Sequence, residues 1–133
     1  MKKLYFFSLL ALYVVTCFPP LGGQRGASQS FQWAAGMGGT GGDYGRAVTT
    51  DASGNVYTTG SFQDTVDFDP GAGAANLISA GGTDIFIQKL DSSGNLLWAK
   101  SIGATSVDAG YSISVDGSEN VYTTGTFTGT VDF

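Results

Sequence analysis

The sequence predicts an all-β fold, and three features carry that prediction: a composition of turn and strand formers, apolar segments of strand length, and a gap-free internal repeat of 65 residues. Glycine fills 21 of 133 positions, aromatic residues 13% and charged residues only 13%, a mixture suited to short strands and tight turns. Long helices are not expected after the first twenty residues.

The repeat is the strongest of the three. Trp33-Ala34 returns as Trp98-Ala99, Asp51 as Asp116, Asn55–Gly60 as Asn120–Gly125 and Thr65–Phe68 as Thr130–Phe133, with 19 identities in 36 aligned positions. Within one period, strands are expected at Arg46–Thr50, Asn55–Phe62, Asp84–Leu90 and Asn95–Ile102. Four antiparallel strands per period is the content of a β-propeller blade. Thr65–Phe68, followed by Asp69-Pro70-Gly71-Ala72-Gly73, reads as an excursion between the second and third main strands. It lengthens the period beyond the ~40–50 residues of common propeller repeats.

Turn chemistry supports the hairpins. Asp51-Ala52-Ser53-Gly54-Asn55 and Asp91-Ser92-Ser93-Gly94-Asn95 each place an aspartate to accept from nearby backbone N–H groups and a glycine for the positive-φ position. Asp116-Gly117-Ser118-Glu119-Asn120 has Glu119 in the glycine column, so a one-residue shift of the turn onto Gly117 is expected there. In Asp84–Leu90, Ile85 and Ile87 occupy one face and Phe86 and Leu90 the other. A strand apolar on both faces needs cover from two neighbours, as blades stacked around an axis provide.

The stretch from Trp33 onward resembles the bacterial SBBP-type β-propeller repeats. Their signature, D-x-G…D-x-S-G-N-V-Y-x-T-G-x-F…T-x-D-F-x-x-G…D-I-F-x-x-K-L-D-x-x-G-N-x-x-W-A, falls on Asp43, Gly45, Asp51, Ser53, Gly54, Asn55, Val56, Tyr57, Thr59, Gly60 and Phe62. It continues through Val66-Asp67-Phe68, Asp84-Ile85-Phe86, Lys89-Leu90-Asp91, Gly94-Asn95 and Trp98-Ala99. The resemblance implies a propeller, a secreted or surface setting and repeat-based display, and it carries over no catalytic residue.

The organisation follows. Residues 1–30 are expected to be a signal peptide, residues 31–42 the final strand of a blade, 43–107 one full repeat and 108–133 a partial one. Lys2 and Lys3 form a positive start, Leu4–Phe18 an apolar run ended by Pro19-Pro20, and cleavage is expected within Gly22–Ser30, for example after Ser28. A mostly apolar run of fifteen positions falls short of a membrane-spanning helix. Val14-Val15-Thr16-Cys17 resembles a lipoprotein cleavage box, but Thr16 departs from its usual small residue, and an ordinary leader cysteine is preferred to a lipid anchor at Cys17. Phe31-Gln32-Trp33-Ala34 matches the last strand of a period and is expected to lock a ring shut. About one and a half periods are present, against about 4–8 blades in a ring, so the chain is read as the N-terminal part of a longer propeller.

Charge and chemistry exclude several functions. Beyond residue 30 only Arg46, Lys89 and Lys100 oppose eleven acids, which disfavours nucleic-acid or anionic-lipid binding. These acids are scattered, and solubility is reason enough for them. With no histidine, Ser-His-Asp and Cys-His systems and the usual zinc sites are absent. Asp64, Asp67 and Asp69 form the densest acidic group. Asp67 and Asp69, followed by Gly71 and Gly73, are the weak candidates for calcium, but the D-x-D-x-D-G spacing is missing and a capped turn is preferred. The same acids lack a sugar-cleft pattern and are not read as a glycosidase pair. Gly36-Met37-Gly38-Gly39-Thr40-Gly41 fits G-x-G-x-x-G without the strand-then-helix setting a phosphate cradle needs. Trp33, Trp98, Tyr57, Tyr122, Phe62 and Phe127 recur at repeat positions and are read as blade packing. Tyr44 and Tyr111, near the loops, are the aromatic candidates for exposed contacts. The reading is a secreted or surface propeller repeat protein that binds a protein or glycan and is not itself an enzyme, with no cofactor. The alternatives are the propeller part of a larger secreted enzyme, or a structural adhesin.

Overall fold

The computed structural model describes residues 12–18 and 30–131. Ten strands occur in order: β1 (Leu12–Phe18), β2 (Ser30–Met37), β3 (Tyr44–Thr50), β4 (Val56–Phe62), β5 (Thr65–Asp67), β6 (Asn76–Ile78), β7 (Asp84–Leu90), β8 (Leu96–Ile102), β9 (Ala109–Val115) and β10 (Val121–Thr126). No helix is found among the described residues. The fold class is therefore all-β, as expected.

One full blade is formed. Its sheet runs β3-β4-β7-β8, all antiparallel, and the next repeat supplies the pair β9-β10. The four main strands lie where the period places them, each within two residues at its ends. The excursion is a ribbon: β5 pairs with β6, an element not expected from the sequence because Asn76-Leu77-Ile78 is too short for a period-2 signal. Phe68 leaves the strand and is buried beside it.

Both faces of the blade are covered, as the two-sided strand requires. On one face Val56, Phe62, Phe86 and Leu90 pack with Val66 and Phe68 of the excursion and with Ala35 and Met37 of β2. The Phe62 and Phe68 rings meet edge-on at 5.4 Å, and Phe68 lies 4.9 Å from Phe86. Burial of each ring contributes about 2–3 kcal/mol. Gln88 Nε2 donates to the Phe68 carbonyl at 2.6 Å and anchors the ribbon to the sheet. On the other face Tyr57 and Ile87 pack with Ile113 of β9, joined by Trp98, Ile102 and Val121. The second repeat thus seats on the first as one blade on the next.

Six aromatic residues are expected in that packing. Tyr57 and Phe62 are fully buried, Trp33 packs against the first core with Nε1 donating to the Ser92 carbonyl at 3.0 Å, and Trp98 meets Tyr57 edge-on at 6.3 Å. Their repeat partners Tyr122 and Phe127 are instead exposed by 57% and 53%, because no third sheet covers them among the described residues.

β2 extends the expected Phe31–Ala34 strand at both ends, and its partner is unexpected. It pairs antiparallel with β1, from Leu12 opposite Met37 to Phe18 opposite Ser30. Part of the segment read as a targeting run is therefore extended and paired. The expected cleavage region at 22–29 lies outside the described residues, as does the Cys17 side chain.

The turns correct a second expectation. Gly54 and Gly94 take positive φ (79° and 88°), but the third turn does not shift onto Gly117: Glu119 itself adopts φ 64°. The Asp116 template explains this. Its Oδ1 accepts from Ser118 and Asn120 N–H at 2.8 and 2.9 Å, as Asp51 accepts from Ser53 and Asn55. A left-handed non-glycine residue costs on the order of 1 kcal/mol. Glu119 offsets that cost through its carboxylate, 2.8 Å from Lys89 Nζ in the preceding blade.

Candidate functional site

The site grows from a backbone irregularity that recurs with the repeat. Along β3 and β4, Gly45 faces Gly60 and Ala47 faces Thr59, so Arg46 is an extra residue bulged out of the ladder. Along β9 and β10, Gly110 faces Gly125 and Ser112 faces Thr124, so Tyr111 is bulged in the same way. Arg46 and Tyr111 are 65 positions apart and hold one column of the repeat. A bulge re-aims the side chain of its extra residue, and here both point into the same exposed space.

Glycine makes the bulge feasible. A Cβ on Gly60 would run into the Tyr44 carbonyl oxygen, and one on Gly125 into that of Ala109, which is the Tyr44 column one period on. The Thr-Gly of each repeat is thus a point of close backbone approach, not merely a turn residue.

On this scaffold the Arg46 guanidinium lies 4.9 Å from the Tyr111 ring centroid and 5.8 Å from that of Tyr44. Tyr44 and Tyr111 stay exposed by 47% and 49%. The two tyrosines singled out from the sequence are therefore brought together, and the residue linking them was missed. The available signal was the 65-residue column: Tyr111 aligns with Arg46, not with Tyr44. Among the described residues no carboxylate forms an ion pair with Arg46; the ion pairs are those of Lys89 with Asp51 and Glu119. A cation held between ring faces keeps most of its charge available to an anion.

Beside this ledge lie the loops that fix it. Asp43 Oδ2 accepts from Gly39 N–H at 2.8 Å and Oδ1 from Gln63 N–H at 3.2 Å. One period on, Asp108 accepts from Ala104 N–H and Thr128 N–H, both at 2.8 Å. Asp84 accepts from Ala80 N–H at 3.1 Å through Oδ2, while its buried Oδ1 has no partner. All three aspartates are buried, so these acids are not surface solubility charges. They are acceptors for loop amides, as are the turn aspartates.

Asp84 is shifted opposite to the turn acids. Burial, and then the Asp108 charge, pushes its carboxyl above the usual range. Its ionised form is therefore disfavoured in the fold, and the associated stability is complete below the unfolded value and lost as pH rises. Asp84→Asn is expected to melt above the parent at pH 7 and together with it near pH 3; thermal denaturation at several pH values reads the difference.

The other candidates fall elsewhere. Asp67 Oδ1 accepts from Ala75 and Asp69 N–H at 2.8 and 3.0 Å, and these bonds, Ala75 first, hold its carboxyl below the usual range. Asp69 Oδ1 accepts from Gly71 N–H at 2.8 Å, and Asp64 takes φ 62° with its N–H donated to Ser79 Oγ. These acids build a capped turn. Among the described residues no three acidic or cysteine side chains gather as a metal site. The glycine-rich run spans the end of β2 and the loop before β3 with no helix after it, and the Tyr44 ring lies against Gly42. No helix of the described residues is long and apolar enough to cross a membrane.

A four-stranded antiparallel blade, followed by its repeat equivalent packed on one face, defines a β-propeller-type repeat protein. In keeping with that class, the chain is 36% identical over 110 residues to a protein of Acanthamoeba polyphaga mimivirus described as "Uncharacterized WD repeat-containing protein L264". The match covers 72% of this chain and 8% of the mimivirus protein. No family model matches the chain, so the resemblance to SBBP-type repeats rests on the motif, and no solved structure matches it.

Proposed function

We propose that this chain belongs to a secreted or cell-surface propeller repeat protein of SBBP type that acts as a non-enzymatic binding and display module, and that the Tyr44–Arg46–Tyr111 ledge holds a carboxylate of its ligand. The observation that carries the reading is Arg46, bulged out between two exposed tyrosine rings with no acidic partner among the described residues. In a chain with net charge −5, an exposed cation framed by rings attracts what the rest of the surface repels. The guanidinium fork matches a carboxylate, and tyrosine faces suit a sugar ring or an aliphatic stem. Carboxylates occur on acidic sugars and on acidic peptides, in keeping with a glycan or protein ligand. The relative, a WD repeat-containing protein, supports the propeller-type repeat on which this reading is built. Because the chain spans 8% of that relative, activity of a whole parent protein is a separate matter.

Isotope-labelled protein titrated with a galacturonate oligomer and, separately, with a glutamate-rich peptide distinguishes the two sources. Shifts at Tyr44, Arg46 and Tyr111 are expected with one of them. Arg46→Gln is expected to weaken that binding about tenfold, or about 1.4 kcal/mol. Binding unchanged by Arg46→Gln, or no shift with either probe at millimolar concentration, would overturn the reading.

A further inference from the structure

Apolar packing between the two repeats is non-directional: Ile113 on Tyr57 and Ile87 holds β9 against the blade without fixing how far it slides along that face. A directional contact stands at one end of the interface. Lys89 is 8% exposed on a central strand whose every residue is buried. Its Nζ lies 4.9 Å from the Tyr57 ring centroid and 3.7 Å from Asp51 Oδ2, both in the first blade, and 2.8 Å from Glu119 Oε2 in the second repeat. The first-blade partners are themselves fixed. Asp51 Oδ2 accepts from the Tyr57 hydroxyl at 3.1 Å and from Asn55 Nδ2 at 2.8 Å, so the ammonium is placed by its own blade.

The residue that reaches it departs from the pattern of the turns. The Gly54, Gly94 and Glu119 amides donate alike to the carbonyls of Asp51, Asp91 and Asp116, and all three residues take positive φ. Glycine adopts that conformation at little cost, whereas a glutamate does not. The departure falls in the turn that meets the buried ammonium.

Glu119 and Tyr111 belong to one hairpin. Tyr111 is near the start of β9, Glu119 follows its end, and the β9–β10 ladder joins them, so a shift of the turn carries the ring with it. In the first blade Lys89 is level with Tyr57 and Thr49, toward the end of the sheet away from Tyr44. The second repeat is thus pinned at one end of the interface and presents Tyr111 to Arg46 near the other.

From this we infer that Glu119 is a positioning residue for the Tyr44–Arg46–Tyr111 ledge: held by Lys89, it sets the seat of the second repeat on the first and thereby the distance from the Tyr111 ring to Arg46. The inference rests on the ledge reading of the site and is independent of what the ledge binds. A buried ion pair adds little net stability, and fixing register is its best-attested use.

The test uses the full labelled chain without ligand. Glu119→Gly separates positioning from stability, because it removes the carboxylate and the strained φ together. Its urea midpoint is expected to stay close to the parent's, and the Ile113–Tyr57 cross-peaks to persist. Cross-peaks from Arg46 to Tyr111 are expected to be lost, while those from Arg46 to Tyr44, in its own strand, remain. Glu119→Asp keeps a carboxylate and is expected to restore the Tyr111 contact. Glu119→Gln is expected to raise amide exchange across Ala109–Val115 about fivefold, and less than about twofold in a chain that also carries Lys89→Met. Undiminished Arg46–Tyr111 cross-peaks in Glu119→Gly, or the same rise in exchange in both backgrounds, overturns the inference. Absence of those cross-peaks in the parent chain overturns the ledge itself, and the inference with it.

Discussion

Gly60→Ala is expected to destabilise the protein by about 3 kcal/mol or more, enough to unfold much of a marginal domain at 37 °C. The added Cβ has nowhere to go: it overlaps the Tyr44 carbonyl oxygen and comes within 2.9 Å of Phe86 Cε1. One neighbour is backbone inside a ladder and the other a ring at 1% exposure, so neither yields cheaply. Gly117→Ala provides the control, since a Cβ there meets nothing within 4 Å. Urea denaturation followed by tryptophan fluorescence compares the two, with Gly117→Ala within about 0.5 kcal/mol of the parent. Equal stability of the two variants would mean that the bulge beside Arg46 is not held by glycine.

Asp43→Ala is expected to cost about 3 kcal/mol, because it strips acceptors from the Gly39 and Gln63 amides in a partly buried loop. Both bonds tie the glycine-rich loop under Tyr44 to the end of β4. Loss of the carboxylate should therefore loosen the ledge as well as the fold: amide exchange at residues 39–44 is expected to rise before that of β7. The repeat provides its own comparison, since Asp108→Ala removes the same pair of bonds one period on. Asp43→Asn retains one acceptor oxygen and is expected to fall between the parent and Asp43→Ala under denaturant.

Much of this fold was legible in the sequence, and the reasons are specific. The four main strands were readable because Asp-x-x-Gly-Asn turns bracket them and because Asp84–Leu90 is apolar on both faces. The 65-residue period assigned Tyr57, Phe62 and Trp98 to packing between sheets. Local signals failed where tertiary contacts decide. β6 exists because β5 and Phe68 need a partner over the core, not because Asn76-Leu77-Ile78 has strand periodicity. Glu119 holds a glycine's conformation because Asp116 imposes the turn and Lys89 takes the carboxylate. The segment at Leu12–Phe18 reads as leader by composition, yet its apolar, β-rich character also lets it pair with Ser30–Met37.

The candidate site was half visible. Tyr44 and Tyr111 stood out as aromatic residues near loops, but neither their proximity nor the role of Arg46 follows from alternation, because a bulge breaks the period of two on which such readings depend. The buried aspartates were misjudged for a related reason. An acid count cannot tell a solvated carboxylate from one that receives loop amides, whereas the shared Asp43 and Asp108 columns mark positions where the backbone itself needs an acceptor.

The central claim is that successive repeats stack as blades and thereby set Arg46 between Tyr44 and Tyr111. Proton–proton nuclear Overhauser spectroscopy on the labelled chain tests it most directly. Cross-peaks are expected from the Arg46 δ-methylene to the ring protons of Tyr111 and Tyr44, together with cross-peaks from Ile113 to Tyr57 and Ile87 across the face of the sheet. A spectrum with the β3–β4–β7–β8 ladder intact but no contact from Tyr111 or Ile113 to the first blade would contradict the account: the repeats would then fold without stacking, and the ledge would not exist.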